Sequence, residues 1–299
     1  MAPATTINQA GREVRLRDRL AEVWAYRHLV GNLVVRDLKV RYKGSVLGFL
    51  WSMASPLLMM LVFYFLFRVL WSHRVPNFHV FVLVAVLAWN WFNLSVNAGV
   101  RCIVANASLI NKVYFPREIL PLAVVLGELV NFLLALPVLM AMIVVSGIPL
   151  TVHALWLPVI IAVQAVFTLG VVLLLSTANV YYRDVGMILE VVLLAWFFLS
   201  PVFYDYAQFR GTLLHLGGLS MDAERLAYIL NPIGTLIGNY RTILYGSVGY
   251  VGGIPMDVAN PPGPPDLGFL ARTLATGLFV FAVGYGVFAR YSGRFGEEV

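Results

Sequence analysis

Two apolar stretches of this chain carry closely spaced rings: Phe49, Trp51, Phe63, Tyr64, Phe65 and Phe67 in one, Trp196, Phe197, Phe198, Phe203 and Tyr204 in the other. Aromatic faces stack on the apolar faces of sugar rings, and Trp and Tyr add a hydrogen-bonding tip. Such a surface would hold a sugar polymer without selecting for charge. The competing role is common, because aromatics in membrane helices also face lipid or form interfacial belts. A second kind of chemistry is ionisable. Glu128 sits inside an apolar run, where a charged group is costly and by default marks function. It can stay protonated or bond a polar group such as Asn131 or Asn93, and a structural hydrogen bond is favoured over a substrate or proton site. Arg183 and Asp184 read as a local ion pair that fixes a turn.

Other chemistries are missing. A phosphate-binding P-loop needs Gly directly before its Lys and Ser or Thr after it; the three lysines, Lys39, Lys43 and Lys112, follow Leu38, Tyr42 and Asn111. No nucleotide loop exists in the chain, so ATP and Mg would be held by a separate polypeptide and no cofactor is expected here. His73, His79, His153 and His215 have no ligand spacing, so no metal site is expected. Asp205, Asp222 and Glu224 form the outer acidic cluster, without the convergent set that a glycosyl- or acyltransferase would need. Proton-driven transport would rest on Glu128 and Glu190, with no inverted repeat to support it.

The elements that must position these residues are membrane helices. The 299 residues are 60% hydrophobic and 12% charged, with a mean hydropathy of +0.83; a soluble domain carries about 25% charged residues. The single Cys102 says nothing about redox compartment. A span needs about 20 apolar residues, and six stretches qualify: 47–70, 78–98, 119–146, 153–178, 186–203 and 267–290. Residues 1–28 lack the apolar core of a secretory signal, so the first hydrophobic stretch is read as a retained span. A seventh stretch, 226–245, is broken by Asn231, Pro232, Gly234 and Gly238, and reads as a re-entrant or surface pair of short helices.

The net charge is +6, and nine of the 21 Lys and Arg fall before residue 44. A basic arm running straight into an apolar segment points to anionic lipid headgroups, not nucleic acid. With both termini inside, fifteen Lys and Arg lie on the inner side and six on the outer: Arg68, Arg74, Arg210, Arg225, Arg241 and Arg272. That bias orients the chain. The fold class expected is therefore an all-α integral membrane protein. It comprises a cytoplasmic tail 1–27, an amphipathic interface helix 28–46, five spans within 47–203, an outer segment 204–266, a sixth span 267–290 and a cytoplasmic tail 291–299.

Ahead of the first span, Leu29, Val30, Leu33, Val34 and Leu38 recur near helical spacing while Arg36, Lys39, Arg41 and Lys43 supply cations. This fits a helix lying in the membrane plane, or a plain juxtamembrane anchor. Gly44, Ser45 and Gly48 permit close backbone approach where the chain enters the bilayer, and Pro56 kinks the first span. The loop between spans two and three is too apolar for a solvated loop and too polar to cross. Residues 108–113 form a short helix there, stopped near Pro116, with Lys112, Arg117 and Glu118 facing water: a docking knob or a lipid-surface loop.

The runs RDLKVRYKGSVLGFLWSMASPLL (36–58), KVYFPREILPLA (112–123), NVYYRDVG (179–186) and LSPVFYD (199–205) together resemble the ABC-2 type permeases of polysaccharide exporters. These are bacterial cytoplasmic-membrane subunits that move lipid-linked O-antigen, teichoic acid, capsule or galactan. The resemblance extends from about residue 25 onward, with no counterpart for 246–265. It implies an interface helix over 28–44 and a coupling helix over 106–117 that fits a cleft on an ATPase, with Ser108, Asn111, Lys112, Tyr114 and Arg117 as coupling candidates. Short outer helices over 206–245 would act as a gate. The implied partners are a second copy, a pair of ATPase subunits, the lipid-linked glycan and membrane lipid. Spans one and five would line the glycan path, which makes Phe49, Trp51, Tyr64, Phe67, Trp196, Phe197 and Tyr204 the channel candidates. An ABC-2 permease for a drug or small lipid is the alternative, and a compact apolar cavity in place of a long aromatic-lined channel would favour it.

Overall fold

The computed structural model describes residues 22, 24–43, 50–66, 75–216, 219–251 and 254–298. Phe49, Phe67, the entry residues Gly44, Ser45 and Gly48, Arg68, Arg74, His73 and nearly all of 1–23 lie outside the described residues. Helices dominate. In chain order they are α1 (Arg27–Tyr42), α2 (Leu50–Tyr64), α3 (Phe78–Ala105), α4 (Ala107–Lys112), α5 (Ile119–Val145), α6 (Leu157–Tyr181), α7 (Val185–Leu199), α8 (Ala223–Leu230), α9 (Pro232–Leu244), α10 (Leu267–Ser292) and α11 (Phe295–Glu298).

Among the described residues, four helical segments are long and apolar enough to cross a membrane: Phe78–Ala105, Ile119–Val145, Val152–Tyr181 and Leu267–Ser292. At about 1.5 Å per residue each exceeds the hydrocarbon core of about 30 Å. The helices α2 and α7 are shorter, with 15 residues each. In α7 the helix stops at Leu199 because Pro201 follows, and the residue before a proline is pushed out of helical geometry; Ser200 Oγ caps the end by donating to Trp196 O at 2.8 Å.

The central element is α3. Val80, Val82, Ala85, Val86, Phe92 and Val96 are among its fully buried side chains, and α2, α5, α6, α7 and α9 all pack on it. The most extensive pairing is α6 with α10. A Cβ on Gly170 would meet the Phe281 backbone nitrogen at 2.6 Å, and one on Gly284 would meet Gly170 O at 2.3 Å, so glycine is what lets these two backbones touch.

The bundle has two distinct ends. One, the basic end, gathers α1, α4, the start of α5 and α11 around a cluster that includes Val30, Leu33, Ile110, Phe115, Ile119 and Phe295. At the other end Tyr245 Oη donates to Pro76 O at 2.5 Å and His79 Nε2 sits 2.7 Å from Ser146 Oγ. This end also carries two antiparallel hairpins that sequence reading did not anticipate. They pair β1 (Leu213–Leu216) with β2 (Leu219–Asp222), and β3 (Ser247–Val251) with β4 (Ile254–Asn260). The stretch 246–265, for which the resemblance offered no counterpart, contains the second hairpin. The broken stretch 226–245 is a pair of short helices as expected, but α9 is no surface element: Ile233, Leu236, Ile237, Tyr240 and Ile243 are all buried at 1% exposure or less.

Candidate functional site

In the helix facing α5, Val30 and Leu33 bury against protein, so at least part of the stripe of α1 is used inside the fold. Its Arg41 does not reach out to headgroups. Both of its terminal nitrogens donate to Glu128, one at 3.0 Å to Oε2 and the other to Oε1, and Asn131 Nδ2 donates to Oε2 at 3.0 Å. This bidentate fork is the strongest geometry an arginine offers a carboxylate. Glu128 lies nine residues into α5, about 14 Å from its start, and its side chain is 4% exposed against 42% for Arg41. The expected hydrogen bond from Asn131 is present; Asn93 is instead bonded to Asn97. Arg36 bonds Asp37 at 2.8 Å and Asn106 at 3.1 Å, tying α1 to the residue that precedes α4. Lys39 and Lys43 contribute no described contact.

Beside the Arg41–Glu128 pair opens a cavity of about 480 Å³, bounded by α1, α2, α3 and α5 and lined in part by Trp51, Ser55, Asn90, Trp91, Asn131 and Phe132. Its walls are mostly apolar with a few polar side chains among them, the usual make-up of a ligand site. Trp51, 46% exposed, stands at its edge. Tyr64, at the far end of α2, meets His79 edge-on with ring centroids 6.0 Å apart.

The channel candidates of α7 divide. Phe197 is buried at 6% exposure within the subunit, against Phe63 and Trp89, so it is turned away from any path outside the fold; the exposed ring of this pair is Phe198. Trp196 is half-buried with its ring edge-on to Phe92, and its indole Nε1 donates to Asn231 Oδ1 at 3.0 Å. Tyr204 Oη donates to Phe198 O at 3.1 Å. These three rings therefore have structural partners, whereas Trp51 borders the cavity beside Glu128.

Asn231 is the hub of this end. Its Oδ1 also accepts from Gly234 N at 2.9 Å, capping α9, while Nδ2 donates to Ser200 Oγ at 2.9 Å and Tyr206 Oη at 3.0 Å. Tyr206 Oη donates in turn to Leu199 O at 2.7 Å, and burial pushes this hydroxyl above the usual tyrosine range, which keeps it a donor. Arg241, which the charge count placed at an outer surface, is 3% exposed. Its guanidinium lies 3.5 Å over the Phe81 ring and donates to Phe81 O at 3.2 Å, Tyr204 O at 2.8 Å and Val202 O at 2.5 Å. The fixed fork of five donors suits three carbonyls at once. The Asn-Pro start of α9 was a legible capping signal; the partners of Arg241 were not, because they lie 37 to 160 residues away.

At the basic end, α4 spans Ala107–Lys112, one residue earlier than expected, and stops before Pro116. Ser108, Asn111, Lys112 and Tyr114 sit on it or just beyond, and Tyr114 is 85% exposed. Glu118 does not face water: it is 7% exposed at the start of α5, and Arg117 lies over Phe295. The expected Arg183–Asp184 ion pair is absent among the described residues. Instead Arg101, at the end of α3, pairs with Glu190 on α7 at 2.6 Å, because adjacent turn residues project apart while these two helices pack side by side. No cluster of three or more metal-ligating side chains occurs among the described residues.

This architecture, apolar membrane-length helices with a short surface helix between two of them, is that of a multi-pass membrane protein. The sequence model of the family described as ABC-2 type transporter matches residues 28–216, and the chain belongs to that family. Its relatives include the O-antigen export system permease protein RfbA of Myxococcus xanthus, 38% identical over 75% of this chain and 83% of that one. An O-antigen export system permease protein RfbA of Klebsiella pneumoniae is 30% identical over 88% and 91%. The capsule polysaccharide export inner-membrane protein CtrC of Neisseria meningitidis is 24% identical over 64% and 74%.

Proposed function

We propose that this chain is the permease subunit of an ATP-driven exporter that carries a lipid-linked polysaccharide across the bacterial inner membrane. The observation that carries the reading is identity of 30% to 38%, over most of both chains, to permeases of O-antigen export systems. The absence of a P-loop fits a subunit whose nucleotide and Mg sit on a partner ATPase.

In this reading α2 and α7 join the four long helices to make six spans, with the basic end and both termini in the cytoplasm. The apolar faces of α2 and α7, including Leu58, Val62, Val191, Leu194 and Phe198, meet a second copy or lipid. Two copies would enclose the glycan path between them, with Trp51 and Tyr64 contributing rings. The exposed knob of α4 and Tyr114 would seat in the ATPase, and α8 and α9 with the two hairpins would close the outer mouth. The compact cavity beside Glu128 is what a small-molecule exporter would offer, yet its ion pair and two asparagines suit an amphipathic guest better than an apolar drug. The reading is tested by deleting the gene in its host and complementing with wild type or Trp51→Ala. Loss of surface polysaccharide on deletion, restored by wild type and reduced by Trp51→Ala at equal expression, is the expected result. Unchanged surface glycan on deletion would sink the reading.

A further inference from the structure

The last residues of the chain, read from sequence as a plain cytoplasmic tail, fold back onto the basic end. Phe295 is completely buried. Its ring meets Phe288 of α10 edge-on with centroids 5.3 Å apart, and the Arg117 guanidinium carbon lies 5.9 Å from its centroid, within cation–π range. Ile110 of α4 and Phe115 just beyond it belong to the same buried cluster. The next residue brings main chain against α4: a Cβ on Gly296 would sit 3.3 Å from Asn111 Oδ1 and 3.6 Å from an Arg117 nitrogen. The hook is held by backbone bonds from Arg294 N to Tyr291 O and from Glu297 N to Arg294 O.

A six-residue helix such as α4 has no side-chain cap at its start and is too short to hold its shape alone, so what it packs against fixes where it points. Its chain connections lead to α3 and α5. The hook adds a third attachment, to α10, and α10 is locked to α6 through the glycine contacts at 170 and 284.

We propose that the C-terminal hook, through Phe295 and Gly296, is the strut that delivers movement of α4 to α10 and α6, which makes Phe295 a positioning residue for transport. The proposal rests on the reading of α4 as the motor contact. Without the ring, α4 would still engage the ATPase and permit turnover, but its displacement would reach α3 and α5 without moving α10 in step.

The experiment uses the full permease co-purified with its ATPase, for ATP turnover, and the same variants in the host strain, for surface polysaccharide measured on silver-stained gels. Phe295→Ala is expected to keep the ATPase bound at wild-type ratio and hydrolysing ATP, while polysaccharide exported at matched expression falls about tenfold, the scale of a typical coupling energy. Phe295→Leu should recover much of that loss. Gly296→Val, which presses on Asn111 and Arg117 with the ring intact, should reproduce it and guards against a folding defect in Phe295→Ala. Normal export in both Phe295→Ala and Gly296→Val overturns the strut. A Tyr114→Cys variant cross-linked to the ATPase separates the two ideas: a cross-link with normal export in the hook variants removes the strut alone, whereas no cross-link in an intact complex removes α4 as the motor contact and the strut with it.

Discussion

Replacing Arg41 with Ala strips the cationic partner from a carboxylate that sits 4% exposed within α5. Breaking a buried ion pair by removing one member costs about 3–5 kcal/mol, because the other charge is left uncompensated. Arg41 itself is 42% exposed, so solvent already screens part of the interaction, and the expected loss for Arg41→Ala comes down to about 2–3 kcal/mol. Glu128→Gln is the milder change. The freed guanidinium can swing to headgroups on its flexible stem, and the amide can still accept from Asn131, so the cost is about 1 kcal/mol. Arg41→Met combined with Glu128→Leu removes both charges and keeps the volume, and should lie within about 1 kcal/mol of wild type. Thermal unfolding in detergent at one scan rate, followed by tryptophan fluorescence, gives the ranking, and Arg41→Ala combined with Glu128→Gln is the double variant that closes the cycle. If Glu128→Gln proves as damaging as Arg41→Ala, or the double variant costs the sum of the singles, the pair is not the lock between α1 and α5 described above.

Asn231→Ala removes five hydrogen bonds that join α7, the Tyr206 turn and α9; a loss of about 2–3 kcal/mol and faster protease cleavage near residues 204–212 are expected, and unchanged cleavage would count against the hub. Arg241→Lys keeps the charge but cannot serve three carbonyls, so stability should fall by about 2 kcal/mol, with Arg241→Met falling further; equal stability of the Lys variant would show that charge, not the fork, matters. At the hairpin end, backbone N–H groups of Gly211 and Glu224 hold Asp222 below the usual carboxylate range. A depressed folded value means its contribution is present above the unfolded value of about 3.9 and is lost as pH falls through the folded one. Proteolysis between α7 and α8 should therefore rise in that acid window in wild type, and Asp222→Asn should show the higher rate already at neutral pH.

Much of the frame was legible. The run read as 119–146 is the helix Ile119–Val145, and 108–113 is Ala107–Lys112 within a residue, because apolar runs and their proline stops are local signals. The span read as 78–98 continues to Ala105: Arg101 ended the apolar run in sequence, but Glu190 neutralises it from a neighbouring helix. The hairpins escaped notice although Gly217-Gly218 and Gly252-Gly253 separate their strands in sequence, a two-residue pattern that favours a hairpin, since both stand in the outer segment 204–266, which was read for short helices and not for strands. What sequence could not convey was where cations point. Arg36, Arg41, Arg101, Arg117 and Arg241 all hold other elements of the fold, and a count of charges is blind to that. The proposed orientation survives the correction. Setting aside the paired Arg36, Arg41 and Arg101 reduces the fifteen inner cations to twelve, and setting aside Arg210, paired with Glu224, reduces the six outer ones to five, so the bias keeps its direction. The inward turn of these arginines thus leaves the charge bias pointing toward the proposed orientation.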